Sequence, residues 1–197
     1  MHLLLGSAAM AGPWVKSVGE AYVKGSGSVF TALDYVDPLT GETEELDYRG
    51  TSSSLYAEVG VGPGLQVLAS VPWVTGRSYD GVTGVEGRSS GMGDAQLGLG
   101  VDVPGLDLPA SFSLISRIPL YDQSQLAEGA PALGDENLDL DLVAAMGHSL
   151  PVGPHWLWMA GTGGFRWRTP WSPSGNAALD YANGLQLSAQ LGLAPSV

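Results

Sequence analysis

Hydrophobic and polar residues alternate along most of this chain. In residues 93–103, Ala95, Leu97, Leu99, Val101 and Val103 fall on one face, and Asp94, Gln96, Gly98, Gly100 and Asp102 on the other. Leu55, Ala57, Val59 and Val61 oppose Tyr56, Glu58 and Gly60; Leu138, Leu140 and Leu142 oppose Asp139 and Asp141. Leu185, Leu187, Ala189, Leu191 and Leu193 oppose Gln186, Ser188, Gln190 and Gly192. A period of two belongs to strands, not helices. The pattern predicts eight strands, over about 18–35, 53–62, 65–76, 93–103, 108–120, 138–149, 156–168 and 180–193. Most exceed the usual five or six residues and match the roughly 9–11 that a tilted membrane-crossing strand needs.

The connections alternate in length. Short Pro/Gly turns fall at Gly62-Pro63-Gly64, Pro104-Gly105-Leu106-Asp107 and Pro151-Val152-Gly153-Pro154. Between them lie longer polar stretches at about 36–52, 77–92, 121–137 and 169–179. In an up-and-down meander every second connection lies at the same end, so one end carries tight turns and the other long loops. That is the plan of an outer-membrane barrel. Pro72 and Pro119 are expected near the loop ends of their strands, where a missing N–H is tolerated.

A soluble β-sandwich also alternates, but it shows its polar face to bulk water. Here that face holds mainly Gly, Ser and Gln, small residues suited to a barrel interior. Only 14% of residues are charged, against about 25% in ordinary domains. A lipid-facing band, which carries charge only at high cost, accounts for the shortage. The expected fold is therefore an all-β, antiparallel, up-and-down transmembrane barrel of at least eight strands, complete or incomplete. Closing the sheet would leave no backbone group unpaired in lipid.

Net charge is −12, which disfavours nucleic acid, whose binding depends on neutralising phosphates. There is no cysteine, and no apolar run is long enough for a membrane helix. The N-terminus, MHLLLGSAAMAGPW, carries a short apolar run ending in Ala9-Met10-Ala11. Residues 1–12 are read as a signal-peptide remnant and 13–197 as the barrel. Export to the Gram-negative outer membrane follows, with outer-membrane lipid as the surrounding partner. The ending, LGLAPSV, lacks a terminal aromatic, and a barrel truncated at its C-terminus is expected.

Several segments resemble a known family. In order they are LDYVDPLTGETEELDYRGTSSSLYAEVGVGPGLQVLASVPWV, GMGDAQLGLGVDV, SFSLISRIPL and LGDENLDLDLVAAMGHSL. Together they resemble the outer-membrane barrel transporters linked to the MetA pathway of phenol degradation, similar in plan to fatty-acid channel barrels. The resemblance covers about residues 20–193; its most specific pieces are Gly91-Met92-Gly93-Asp94 and Leu133-Gly134-Asp135. It implies an outer-membrane channel or transporter for passive passage of a small solute, hydrophobic or aromatic. The alternative is a closed eight-stranded barrel with a structural role and no transport.

Strand parity places Glu20, Lys24, Glu58, Asp94, Gln96, Asp102, Arg117, Asp139, Asp141, Arg166 and Arg168 on the inner face as lumen-lining candidates. Acids and bases inside a barrel are expected to pair, or to set ion selectivity if the lumen is wet. Trp73, Tyr79, Tyr121, Trp156, Trp158, Trp167, Trp171 and Tyr181 fall near strand ends, where aromatic girdles meet lipid headgroups. Two acidic groups, Asp34/Asp37/Glu42/Glu44/Glu45/Asp47 and Asp135/Glu136/Asp139/Asp141, read as solvated surface, with a divalent-cation site the sharper alternative. His2, His148 and His155 do not form a nucleophile motif, and no G-x-S-x-G elbow or metal-ligand spacing occurs. No catalytic, cofactor or metal residues are assigned, so the chain is not read as an enzyme. An outer-membrane lipase or acyltransferase would need a Ser/His/acid constellation. The sequence leaves the oligomeric state open.

Overall fold

A computed structural model describes residues 12–36, 43–80, 84–127, 129–171 and 182–195. The alternating segments pair into one antiparallel sheet. Its strands are β1 (Ala21–Val36), β2 (Thr43–Gly62), β3 (Leu65–Asp80), β4 (Glu86–Met92), β5 (Asp94–Asp102), β6 (Ala110–Pro119), β7 (Asp139–Val152), β8 (His155–Arg168) and β9 (Gly184–Pro195). Sequence neighbours are sheet neighbours, in the order β1-β2-β3-β5-β6-β7-β8-β9. The first half of β3, Leu65–Ser70, pairs with β5, and its second half, Trp73–Tyr79, pairs with β4. β4 and β5 thus act as one broken strand, and the path is eight strands long.

The sheet curls into a half-barrel. Among the described residues no ladder joins β1 to β9, so both remain edges. The tight turns carry glycine in the left-handed region, at Gly64, Gly105 and Gly153, a conformation that a Cβ disfavours. The tight turns fall where predicted and the longest connections, 120–138 and 169–183, lie at the opposite end, but the first two expected long loops shorten to 37–42 and 81–85.

Several strand boundaries differ from the sequence reading. β2 begins at Thr43 rather than 53, and β1 at Ala21 rather than 18. Residues 43–52 look like a loop because they are polar, yet Val36↔Thr43 through Val29↔Thr51 pair them with β1. The expected loop 77–92 is largely the hairpin of β3 and β4. Pro72 is not at a loop end. It sits mid-strand at the β4/β5 break, where its carbonyl accepts from Gly93 N (3.1 Å); an interrupted ladder tolerates proline.

Parity sorts the faces as expected. Leu97, Leu99, Leu114, Leu142, Phe165 and Leu187 stand exposed on the convex face. On the concave face, Tyr56, Leu68, Ile115 and Val143 pack together into a core drawn from β2, β3, β6 and β7. Gln66, Ser111 and Ser113 are buried beside them.

Candidate functional site: the concave face

The concave face has two differently built ends. At the long-loop end it is charged. The register places Arg117 opposite Asp139, Asp139 opposite Arg168, and Asp141 opposite Arg166. Because side chains on one face lie two residues apart, this interleaves acids and bases across three strands. Arg117 Nε donates to Asp141 Oδ2 (2.8 Å), and Arg166 Nε donates to Asp141 Oδ1 (2.8 Å). The Gln186 carboxamide oxygen, in the orientation that satisfies both groups, accepts from Arg166 Nη2 (2.6 Å). Asp141 and Arg166 are almost wholly buried.

The connection between β6 and β7 folds into this end rather than out of it. Asp122 closes its first turn by accepting from Ser124 N and Oγ; the Ser124 hydroxyl, then its backbone N–H, holds the Asp122 carboxyl below the usual range. Farther on, Ser78 Oγ donates to Gly129 O (3.0 Å), and Leu133 and Asn137 are buried. Asp135 crosses the concavity: its N–H donates to Asp94 Oδ2 on β5 (3.0 Å), and its carboxylate meets Arg168 Nη2 on β8 (3.2 Å). Glycine makes this possible. A Cβ on Gly87 would collide with the Gly129 carbonyl, and one on Gly91 would come within 2.9 Å of Leu133.

At the tight-turn end the N-terminal segment, residues 12–20, lies across the concave face as a strap. Ser111 Oγ donates to Gly12 O (3.0 Å), Lys16 N donates to Gln66 Oε1 (3.0 Å), and Gly19 N donates to Gly60 O (2.9 Å). Pro13 is buried, and Trp14 meets Trp158 edge to face at 6.2 Å. Gly60 admits the strap, since a Cβ there would strike the Ser17 carbonyl. Between strap and sheet lies a cavity of about 460 Å³. It is walled by Trp14, Tyr22, Tyr56, Trp156 and Trp158, with Lys16, Lys24 and Glu58 among them. Glu58 is held by the Tyr56 hydroxyl (2.6 Å) and lies 3.9 Å from Lys16 Nζ.

The lumen candidates divide accordingly. Asp94, Arg117, Asp139, Asp141, Arg166 and Arg168 come together at the long-loop end. Gln96 sits in register between Ser70 and Arg117. Lys24 and Glu58 line the cavity. Glu20 is exposed and accepts from Ser17 N, and Asp102 is exposed at a tight turn; neither joins the buried groups.

The aromatics also divide. Trp73, Tyr79, Trp167 and Trp171 are exposed, as a girdle requires. Trp156 is as exposed as Tyr79, but it and the half-buried Trp158 share parity with Thr162 and Arg166 and line the cavity. Tyr121 is turned inward too; burial, then the neighbouring Asp94 carboxylate, pushes its hydroxyl well above the usual phenol range. Tyr181 lies outside the described residues, as do Asp37, Glu42 and the N-terminal run 1–11. The second acidic group is not solvated surface, because Asp139 and Asp141 are buried against arginines. Among the described residues no three His, Asp or Glu side chains are placed to hold a metal ion. His148 pairs with Met159 and His155 with Val152 across the β7–β8 hairpin.

Trp14, Lys16, Tyr22 and Tyr56 belong to the site and are absent from the sequence candidates, and Asp135, read there as part of a solvated acidic group, belongs to it as well. Tyr22 and Tyr56 share parity with Lys24 and Glu58 and were legible by that rule. Trp14 and Lys16 lie outside any alternating segment, so no pattern marked them; Asp135 was marked by its acidic neighbours but not as a residue of the inner face. No family model matches this chain, and no curated protein matches it.

Proposed function

We propose that this chain is an outer-membrane barrel protein that passes a small solute along its concave face, with the strap and the in-folded connection blocking the path at rest. The observation that carries this reading is the cavity of about 460 Å³ behind the strap, set in a sheet whose opposite face is an apolar band. That band runs across β5, β6, β7 and β9 through Leu99, Leu114, Leu142 and Leu187. A contiguous exposed apolar band marks a surface that something other than water covers. The strands are long enough to cross a bilayer, and the resemblance to barrel transporters of phenol degradation agrees. The solute would be hydrophobic or aromatic, matching the aromatic walls.

Membrane placement is tested by charge. Leu99→Arg should cost about 2–4 kcal/mol of folding free energy in lipid vesicles, as an arginine at mid-membrane does. Gln96→Arg, on the concave face, should cost less. Equal penalties, or the reverse order, reject the lipid-facing assignment.

Passage is tested by planar-bilayer conductance of the chain and of Trp14→Ala, which removes the strap's ring from Trp158. Discrete steps that become larger or more frequent in the variant support gated passage. Silence from both rejects passage and favours a closed structural barrel. That second reading has its own support: Tyr56, Leu68, Ile115 and Val143 fill the middle of the concavity as a packed core does.

A further inference from the structure

The cavity behind the strap carries an unbalanced charge. Two lysines and one glutamate line it. Glu58 is answered twice, by the Tyr56 hydroxyl at 2.6 Å and by Lys16 at 3.9 Å. Lys16 is answered as well: its ammonium faces Glu58 and sits 5.2 Å above the Tyr22 ring. Lys24 stands on the same wall, one inward position along β1 from Tyr22 and opposite Tyr56. Among the described residues no acid pairs with it. The remaining walls are aromatic rings and small polar groups, and the volume falls within the about 300–1,000 Å³ of small-molecule sites.

Each alternative ligand fits these walls worse. A quaternary ammonium would suit the rings, but Lys16 and Lys24 on the same walls would both repel it. A neutral arene would leave the Lys24 ammonium, which is exposed at the cavity wall, with water alone as its partner. A simple inorganic anion would leave the rings without a partner. A flat ring bearing one carboxylate satisfies both.

We propose that this cavity binds a small aryl carboxylate, its ring against Trp14, Trp156, Trp158 and Tyr22 and its carboxylate on Lys24. As the solute class of the passage, this rests on the function proposed above; as a binding site, it is measured without flux.

The test is tryptophan fluorescence of the full chain folded in detergent micelles, titrated with sodium benzoate, benzyl alcohol and benzyltrimethylammonium at fixed ionic strength. Three of the four aromatic contacts are indoles, so occupancy should change their emission. Benzoate should saturate, and benzyl alcohol should bind at least about tenfold more weakly, since a hydrogen bond to a charged group is worth about that much. Lys24→Met should weaken benzoate about tenfold and leave benzyl alcohol unchanged, while Lys24→Arg keeps benzoate binding. Equal binding of benzoate and benzyl alcohol overturns the proposal, as does tighter binding of the quaternary ammonium or an unaffected Lys24→Met. If Lys24→Met does not fold, the ligand comparison on the unaltered chain and the Lys24→Arg result decide. Saturable benzoate binding with no conductance removes passage and keeps the site. Conductance without benzoate saturation removes the site and keeps passage.

Discussion

The two ends of the concave face solve the same problem in opposite ways. Each must cover polar inner residues with a segment from outside the sheet. At the long-loop end Asp135 ties the covering segment to Asp94 and Arg168, beside a charged network within the sheet in which Asp141 holds Arg117 and Arg166. At the tight-turn end the strap is held by four neutral hydrogen bonds, one ring contact and one long ion pair, and it leaves a cavity. The difference separates a part that fixes shape from a part that can admit a ligand or move. The short buried pairs of Asp141 favour rigidity, although Asp94 Oδ1 and Asp139 Oδ1 are buried there without a hydrogen-bond partner, whereas a segment held by few contacts opens at low free-energy cost.

The sharpest way to break this comparison is Asp141→Ala. It strands two arginines, one of them almost fully buried. Removing one partner of a buried ionic group typically costs about 3–5 kcal/mol. Guanidinium unfolding in micelles should show a loss of that size. Arg166→Met combined with Asp141→Leu should recover part of it, because an apolar pair needs no partner. A loss below about 1 kcal/mol for Asp141→Ala would mean that the network is wet and that the two ends are alike.

A smaller effect tests each covering segment by itself. Gly87→Ala drives a methyl into the Gly129 carbonyl, and Gly60→Ala drives one into the Ser17 carbonyl. Overpacking of this kind costs about 1–3 kcal/mol. Gly60→Ala should make the strap, residues 12–20, sensitive to limited proteolysis and leave the β6–β7 connection protected. Gly87→Ala should give the reverse pattern. Cleavage at both ends in either variant would show that strap and connection move as one unit.

Much of this division was within reach of the sequence, because parity is a strict rule. Leu97, Leu99 and Val101 had to share a face, and so did Asp139 and Asp141. Parity assigns a face but not a partner. That Asp141 meets both Arg117 and Arg166 depends on register, which is set by two strand pairings together. Trp156 and Trp158 show a rule applied too weakly: their position near a strand end suggested a girdle, while their parity with Arg166 already placed them inside. Residues 43–52 show the converse. Polar overhangs of a hairpin carry no hydrophobic alternation, so only pairing identifies them as strand. The strap and Asp135 were beyond any periodic signal, since each is defined by the surface on which it lies.

The smallest effect is the most informative about the cavity. Lys16→Met removes the ion pair to Glu58 but keeps the backbone bond from Lys16 N to Gln66. Although Glu58 is buried, it keeps the Tyr56 hydroxyl and borders open space into which water can follow. The lost pair is long, at 3.9 Å, and Lys16 is partly exposed, so the cost should stay below about 1 kcal/mol, as for exposed pairs. Guanidinium unfolding of Lys16→Met beside Asp141→Ala measures the contrast directly. If the two variants lose similar stability, the cavity is as dry as the charged end. The strap would then be a fixed part of the core, with no freedom to admit a solute.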